Sequence, residues 1–351
     1  MADFSYEGAH TAIITPLRAD GHVDWAGLEK NLQFQVDQGI KGIVAVGTTG
    51  ESPTLDWREH NGVIDKAIEM GRGECVVTAG TGSNSTDEAL QATRHAAVSG
   101  ADAVLLVDCY YNGPSSLELR REYHGAIAKA VPEIDVLPYI IPGRTGCAMS
   151  PEDLVILASE CPNVRAVKEA TGDLERMKLT RELAGEDFTI LSGDDDLTFA
   201  MMTDPAIAAG GVVSVMSNVA PAAVGAMVAA CLKGDAAGAE KLRDALSPLF
   251  GIVTVKIEQK RPMPGDGVRR VTDKFRNPAA IKTLMNGLGM PAGPMRQPMG
   301  KMTAAGVDVV RRAARAVWGN HPEILAPVAE AYGVDVEARL ADDSVWSALS
   351  Y

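Results

Sequence analysis

An alternation of short apolar runs with helical segments constrains the fold of this chain more than any other feature. The alternation repeats eight times between His10 and Leu232. Runs such as Gly42–Val46 and Ala101–Val107 are nearly continuous in apolar residues, as expected of strands buried on both faces. Strands that alternate with helices form parallel sheets with right-handed crossovers. Eight units predict an α/β fold closed into a (β/α)8 TIM barrel, with an open doubly wound sheet as the alternative.

The rest of the chain is predicted to be mostly helical. We expect residues 1–234 to form the barrel, residues 235–319 to form a helical region packed on it, and residues 320–351 to form a short helix with a loosely tied end. The stretch Ala236–Ile257 is typical of one amphipathic segment. The prolines and glycines between Lys260 and Asn277 predict a loop, with helices at Pro278–Leu288 and Met302–Trp318 after it.

Composition and charge exclude several classes of partner. The chain has 46 acidic and 33 basic residues and a formal net charge of -13, which argues against binding nucleic acid or an anionic membrane. Its five cysteines are scattered without metal-ligand spacing, so we expect reduced thiols, no metal site and a cytoplasmic location. The first residues have neither the basic nor the apolar segment of a signal peptide, and no run is suited to span a bilayer.

A single lysine lies at the end of the sixth apolar run. The stretch Asn163–Gly172 is typical of a buried strand that ends near Lys168. Ligands bind at the carboxyl ends of parallel strands. Partial desolvation there disfavours the ammonium ion and leaves a nucleophilic amine that can form a Schiff base. A solvated lysine at a strand end is the alternative that this stretch alone leaves open.

Other polar residues also follow strands and are expected on the same rim. The turn Gly47–Ser52 offers two threonine hydroxyls and free backbone N–H groups to an anion. Tyr139, near the end of the fifth strand, could pass protons during imine formation. Arg144 follows it and could bind a carboxylate in a bidentate manner, and Gly193 leaves room for a ligand. A glycine-rich turn, a core tyrosine and a solvated arginine are the simpler alternatives.

Together these segments resemble the dihydrodipicolinate synthase / N-acetylneuraminate lyase family of class I, pyruvate-dependent aldolases. The similar motifs occur in family order between residues 8 and 302. They are Gly47–Ser52, Gly82–Thr86, Tyr110–Asn112, Tyr139–Pro142, Val167–Gly172, Ser192–Asp194 and Gly211–Val215. Each motif alone is weak evidence for the family, whereas seven motifs in the same order are specific to it. The pair Thr48-Thr49 and the turn Pro142–Gly146 are more similar to the synthases than to the sugar-acid lyases.

The resemblance implies the roles of four catalytic residues. Lys168 would form a covalent imine with pyruvate, so that no metal or organic cofactor is required. Tyr139 would shuttle protons, and Thr49 and Tyr111 would complete a hydroxyl relay. In the family the tyrosine that matches Tyr111 reaches into the site of a neighbouring subunit. The resemblance therefore implies at least a dimer, and usually a homotetramer built as a dimer of dimers.

The resemblance also implies how substrates are held. Thr48 and Thr49 would bind the pyruvate carboxylate, helped by the backbone around Gly193 and Val213. Arg144 would bind the carboxylate of a small aldehyde, L-aspartate 4-semialdehyde. The implied product is 4-hydroxy-tetrahydrodipicolinate, on the route to diaminopimelate and lysine.

A second site is suggested by residues outside the predicted catalytic group. Trp57 and His60 are three apart and share a helix face. In lysine-sensitive synthases the positions that match Trp57, His60, Asn84, Glu88 and Tyr110 hold the feedback inhibitor lysine. The resemblance therefore implies an allosteric lysine site. Packing of Trp57 and His60 at a subunit contact is the alternative.

Departures from the family pattern leave the second substrate open. Ile140 stands where the family usually has asparagine, and Asp108-Cys109 stands where Ser/Thr-Pro is common. The segment 260–277 and the C-terminal extension are additions. The alternatives are another aldolase of the family, acting on a 2-keto-3-deoxy sugar acid or 4-hydroxy-2-oxo acid, and a non-enzymatic ligand-binding barrel. The aspartates at 194–196 favour the sugar acid, whereas Arg144 favours the carboxylated aldehyde.

Overall fold

The computed structural model describes residues 4–265 and 267–351. Eight parallel strands form a closed barrel in sequence order, and the last strand pairs with the first. The strands are β1 (Gly8–Ala12), β2 (Gly42–Ala45), β3 (Val76–Gly80), β4 (Ala103–Val107), β5 (Asp135–Ile140), β6 (Ala166–Glu169), β7 (Thr189–Ser192) and β8 (Gly211–Ser214). This topology confirms the predicted (β/α)8 barrel and excludes the alternative of an open doubly wound sheet.

Helices connect the strands, and several begin where the sequence places a capping residue. The helices are α1 (Trp25–Asp37), α2 (Trp57–Gly71), α3 (Thr86–Ser99), α4 (Ser116–Glu118), α5 (Gly125–Ala130), α6 (Pro142–Thr145), α7 (Pro151–Glu160), α8 (Leu174–Ala184), α9 (Thr198–Thr203) and α10 (Pro221–Leu232). The Asp24 side chain accepts a hydrogen bond from the backbone N–H of Gly27, and Asp56 forms a capping box with Glu59. These contacts satisfy backbone donors that have no partner within the helix.

The period of two along each strand decides which side chains enter the barrel. Ala166 and Ala170 belong to the apolar cluster that also contains Leu105, Leu137 and Tyr139. Val167 belongs to the larger cluster between the strands and the surrounding helices. Since alternate residues of a strand share a face, Lys168 lies on the same side as Ala166 and Ala170. The strand therefore carries the lysine amine into the barrel rather than towards the helices.

The C-terminal region begins with α11 (Ala236–Phe250) and then forms a hairpin, which corrects the predicted loop. Strands β9 (Val255–Pro262) and β10 (Val268–Phe275) are antiparallel. Along β9 half-buried and exposed residues alternate, which is the strand pattern that the loop prediction overlooked. The prolines and glycines are confined to the end of β9 and the turn, where they do not break the ladder. The predicted amphipathic segment is likewise shorter, because its helix ends at Phe250.

The chain then continues through α12 (Ala279–Leu288), α13 (Ala304–Asn320), α14 (Ala326–Tyr332), α15 (Val336–Ala341) and α16 (Asp343–Ser347). The prediction of a short helix with a loosely tied end was wrong. The Tyr332 hydroxyl donates to Oδ1 of Asn31 at 2.9 Å, and Nε1 of buried Trp346 donates to the carbonyl of Arg339 at 2.9 Å. Tyr332 therefore ties the extension to helix α1 of the barrel, and Trp346 ties α16 to α15. In the described parts of the chain, no helix combines the length and apolarity that crossing a membrane needs.

Candidate active site

Lys168 and Tyr139 lie next to each other at the carboxyl end of the barrel. They are paired across β5 and β6, and Lys168 is also paired with Leu191 of β7. Nζ of Lys168 lies 4.1 Å from the centroid of the Tyr139 ring. Both side chains are buried, with Lys168 only 6% exposed. The structure thus places an amine and a phenol side by side inside the closed barrel.

Burial changes the chemistry of the amine. It lowers the pKa of Lys168 to about 8, an effect that Arg144 reinforces and that the carboxylates of Asp194 and Asp195 oppose. At pH 8 a lysine with this pKa is about half unprotonated, against less than about 1% for one at the ordinary value of 10.5. Lys168 therefore has the unprotonated form that attack on a carbonyl requires.

Burial shifts the pKa of the Tyr139 phenol in the opposite direction from that of the lysine. Burial raises the pKa of Tyr139 to about 12, while Arg144 and the Thr48 hydroxyl act against this rise. Tyr139 therefore holds its proton at neutral pH and is placed to donate it to a group bound at Lys168. The contact with Thr48 also identifies which of the two adjacent threonines faces the phenol.

This arrangement corrects the predicted relay partner. Thr49 was expected beside Tyr139, but its hydroxyl accepts a hydrogen bond from Nδ2 of Asn277 at 2.9 Å. Thr48 takes the position beside the phenol. Consecutive side chains in a turn point in different directions, and the motif alone does not tell which one faces the strand. We therefore assign the relay position to Thr48 and leave Thr49 as an anion-binding candidate.

Two adjoining cavities share Thr48, Tyr139 and Arg144. The cavity that contains Lys168 has a volume of about 180 Å³, and Thr49, Gly193 and Asp194 also line it. The second cavity, of about 230 Å³, extends past Ser52 and Tyr110. Both cavities have the size that suits a small organic molecule, and Arg144 lines each of them.

The remaining predicted substrate contacts are found around the same opening. Arg144, on α6, is mostly buried, and its Nη2 donates to the carbonyl of Asn277 at 3.0 Å. A side chain at Gly193 would place its Cβ 2.6 Å from Cβ of Ala170 and 3.2 Å from Cε of Lys168. A larger residue there would therefore displace the reactive lysine. Val213 is buried on the inner face of β8 and belongs to the cluster that contains Tyr139.

Tyr111 is the predicted catalytic residue that this chain does not bring to Lys168. Its side chain is 87% exposed, and it lines neither of the two cavities. Its neighbour Tyr110 is half-buried and lines the second cavity. Within this chain Tyr111 is therefore not part of the lining around Lys168.

The residues of the predicted second site fall into two neighbouring groups. The Trp57 and His60 rings lie 5.0 Å apart, and Nε2 of His60 lies 3.1 Å from the Ser52 hydroxyl. Oδ1 of Asn84 accepts a hydrogen bond from the backbone N–H of Tyr110 at 2.6 Å. Burial is the main cause that raises the pKa of Tyr110, and the charge of Glu88 acts in the same direction.

A buried ion pair that the sequence motifs did not indicate stabilises the turn that contains Thr48 and Thr49. Nζ of Lys282 donates to Oε1 of Glu51 at 2.6 Å and to the carbonyls of Thr15 and Pro294. Both charged side chains are 1% exposed. The pair connects α12 to the residue that follows Thr48-Thr49-Gly50. The sequence signal for this pair was a single charged residue in a helix of mostly apolar residues, because a buried charge needs a partner.

The described residues around the cavity do not include a cluster of side chains suited to bind a metal ion. Within residues 4–265 and 267–351, no group of three or more His, Cys, Asp or Glu side chains is so arranged. The charged groups that line the lysine cavity are Lys168, Arg144, Asp194, Lys274 and Arg276. These groups suit an organic acid that reacts at a carbonyl.

A barrel with a desolvated lysine on β6 and a phenol on the adjacent strand β5 has the architecture of a class I aldolase. Comparison with known proteins makes the assignment more specific. The model of the dihydrodipicolinate synthetase family matches residues 5–264. The chain belongs to this family, as its sequence motifs predicted.

Individual relatives agree with the family assignment. The 4-hydroxy-tetrahydrodipicolinate synthase of Alcanivorax borkumensis is 47% identical over 243 residues, which are 69% of this chain and 80% of the relative. The chloride-inhibited dihydrodipicolinate synthase of Acinetobacter baumannii, complexed with pyruvate, is 34% identical, with a TM-score of 0.79 over 89% of this chain and 99% of that one. The enzyme of Cyanidioschyzon merolae with lysine bound is 33% identical, with a TM-score of 0.79 over 89% and 98%.

The electrostatic account of Lys168 predicts how its reactivity depends on pH. Labelling of Lys168 by a trace acylating reagent, read by peptide mass spectrometry across a pH series, should have its midpoint near pH 8. Asp194→Asn should lower the midpoint because it removes a charge that favours the ammonium. Arg144→Gln should raise it because it removes a charge that disfavours the ammonium. A wild-type midpoint near 10.5, or shifts in the reverse order, would contradict this account.

Proposed function

We propose that this protein is a 4-hydroxy-tetrahydrodipicolinate synthase, which condenses pyruvate with L-aspartate 4-semialdehyde. The main observation behind the proposal is the pairing of Lys168 and Tyr139 in a cavity that Arg144 also lines. Relatives at 37–47% identity that bear this enzyme name support the choice of reaction. A complex of one relative with pyruvate supports the choice of first substrate.

The first half of the reaction forms the imine. The pyruvate carboxylate binds at the hydroxyl and N–H groups of the turn that contains Thr48 and Thr49. The Lys168 amine attacks the ketone carbon, and Tyr139 supplies a proton to the departing oxygen, which leaves as water. The resulting iminium is an electron sink, so a proton can leave the pyruvate methyl group and give an enamine. This chemistry requires no metal or organic cofactor.

The second half forms the new carbon–carbon bond. Arg144 holds the carboxylate of the semialdehyde so that its aldehyde faces the enamine carbon. Attack on the aldehyde produces an alkoxide, which Tyr139 protonates. The amine of the semialdehyde then attacks the iminium carbon and displaces Lys168. This transimination closes the ring and returns the free lysine, so the net reaction releases one water.

The sugar-acid alternative is less well supported by the aspartates that suggested it. Asp195 accepts hydrogen bonds from the backbone N–H groups of Val215 and Met216, so its carboxylate has a structural role. Asp196 is exposed and does not line the lysine cavity. Asp194 is the remaining carboxylate for a polyhydroxylated substrate. A barrel that only binds a ligand would not need the activated amine of Lys168.

A substrate comparison tests the proposed reaction. With pyruvate present, the wild-type protein should consume L-aspartate 4-semialdehyde and form a cyclic dicarboxylate that mass spectrometry detects. Tyr139→Phe should reduce kcat by roughly 100- to 10,000-fold, because a general acid–base group is lost. Cleavage of a 2-keto-3-deoxy sugar acid at a higher kcat/KM than semialdehyde condensation would establish the alternative instead.

We also propose that the active form contains at least a dimer, with a tetramer as the complete assembly. The support is the position of Tyr111, which is exposed next to the cavity that Tyr110 lines. In a symmetric dimer each Tyr111 would complete the relay of its partner's site.

We propose a cytoplasmic location as well. The five free cysteines support a reducing compartment.

Complementation between inactive variants tests the shared site. Lys168→Arg and Tyr111→Phe should each be nearly inactive alone. When the two variants are unfolded and refolded together, hybrid dimers contain one intact site, and about a quarter of wild-type activity should return with random pairing. If mixing restores no activity, Tyr111 does not act across a subunit contact.

We propose in addition that L-lysine inhibits the enzyme at the group formed by Trp57, His60, Asn84, Glu88 and Tyr110. A relative with lysine bound supports this assignment. The half-exposed Trp57 ring can cover the aliphatic part of lysine, and Glu88 can pair with an ammonium group.

Inhibition assays test the lysine site. Added L-lysine should lower the activity of the wild-type protein, and Glu88→Gln should weaken the inhibition by at least about tenfold through loss of a charged partner. D-lysine is the control for nonspecific cation effects. Full wild-type activity at millimolar L-lysine would contradict the proposal.

A further inference from the structure

The hairpin of β9 and β10 brings additional cations to the mouth of the lysine cavity. Lys274, on β10, lies directly opposite Lys256 on β9. Both side chains are exposed, on the face of the hairpin opposite to half-buried Ile257 and Asp273. Lys274 and Arg276 line the cavity that contains Lys168. The family motifs do not include this segment, whose prolines and glycines predicted a loop.

A reciprocal pair of hydrogen bonds fixes one of these cations beside Arg144. Nη1 of Arg276 donates to the carbonyl of Gly143 at 2.5 Å, and Nη2 of Arg144 donates to the carbonyl of Asn277 at 3.0 Å. Each guanidinium therefore contacts the backbone next to the other arginine. The contacts hold α6 against the end of the hairpin. Each arginine keeps further N–H donors, because a guanidinium has five.

These cations lack the carboxylate partners that other basic residues of the hairpin have. Arg261 forms an ion pair with Asp273, and Arg270 forms one with Glu258. Among the described residues, by contrast, no carboxylate lies within ion-pair distance of the cationic groups of Arg144, Lys256, Lys274 or Arg276.

The like charges act on one another. The positive charge of Arg276 is the largest cause that lowers the pKa of Lys274, and Lys256 and Arg144 act in the same direction. Like charges placed directly opposite each other destabilise a strand pair. In the chain as a whole acidic residues outnumber basic ones, so a cationic opening at the catalytic cavity is a local feature. Such a cluster loses its mutual repulsion when an anion binds between its members.

We infer that Lys274 and Arg276 are specificity-determining residues which, together with Arg144, bind the carboxylate of the second substrate at the cavity mouth. The ligand class is a short aldehyde that carries a carboxylate. The inference rests on the proposed function for the identity of the reaction, while the binding of the carboxylate rests on the cavity lining that Arg144 and the hairpin share. The three cations also attract anionic substrates to an otherwise acidic protein.

Lys274→Gln tests the inference most directly. Lys274 is exposed, and its replacement leaves the reciprocal contacts of Arg144 and Arg276 in place. The matched control is Lys260→Gln, since Lys260 is on the same exposed face of β9 but does not line the cavity. Lys274→Gln should raise KM for L-aspartate 4-semialdehyde by about five- to tenfold, with kcat and the KM for pyruvate retained. Lys274→Arg should restore the low KM, and Lys260→Gln should change none of these constants.

A binding measurement separates this inference from the proposed reaction. Calorimetry with succinate at saturating pyruvate reports carboxylate binding without turnover. Lys274→Gln should weaken succinate binding by about five- to tenfold relative to both wild type and Lys260→Gln. Equal affinity of wild type and Lys274→Gln for succinate would overturn the inference. Absence of semialdehyde turnover, with the difference in succinate affinity present, would overturn the proposed reaction and leave the carboxylate site established.

Discussion

Desolvation of one ammonium group is the constraint on which the site depends. Lowering the pKa of Lys168 from 10.5 to about 8 costs the folded protein roughly 3 kcal/mol when the lysine is protonated. The cost is present below pH 8 and disappears between pH 8 and 10.5, where the unfolded lysine also loses its proton. A closed barrel can bear this cost because its apolar interior and the surrounding helices bury a large core. The same burial keeps Tyr139 protonated beside the amine.

The C-terminal region completes this site in addition to packing on the barrel. Asn277 donates to Thr49, and Lys282 holds Glu51 at the end of the same turn. The Lys282–Glu51 pair is fully buried, so removal of either partner would leave an uncompensated charge in the core. Arg276 fixes the turn that carries Arg144. The positions of the anion-binding groups thus depend on residues that follow the barrel in the chain.

The sequence predicted those features that follow from local periodicity. Eight apolar runs indicated the barrel, and the lysine in the sixth run identified the reactive strand. The hairpin was missed because proline and glycine in its turn were given more weight than the alternation in its strands. The packed extension was missed because its anchors contact residues distant in sequence: the Tyr332 hydroxyl donates to Asn31, and the Trp346 ring packs against Gly287. The orientation of Thr48 and Thr49 depends on tertiary contacts with Tyr139 and Asn277, which a motif does not contain.

The central claim is that Lys168 is the nucleophile that forms an imine with pyruvate. The most direct test is borohydride reduction of the protein with pyruvate, followed by peptide mass spectrometry. We predict a reduced pyruvyl adduct on the peptide that contains Lys168, and no adduct in Lys168→Arg. Lys282→Arg is unsuitable as a control because Lys282 is buried in an ion pair, so the exposed Lys233→Arg serves instead and should keep the adduct. A folded wild-type protein that gives no adduct, or one that carries it on a different lysine, would contradict the account.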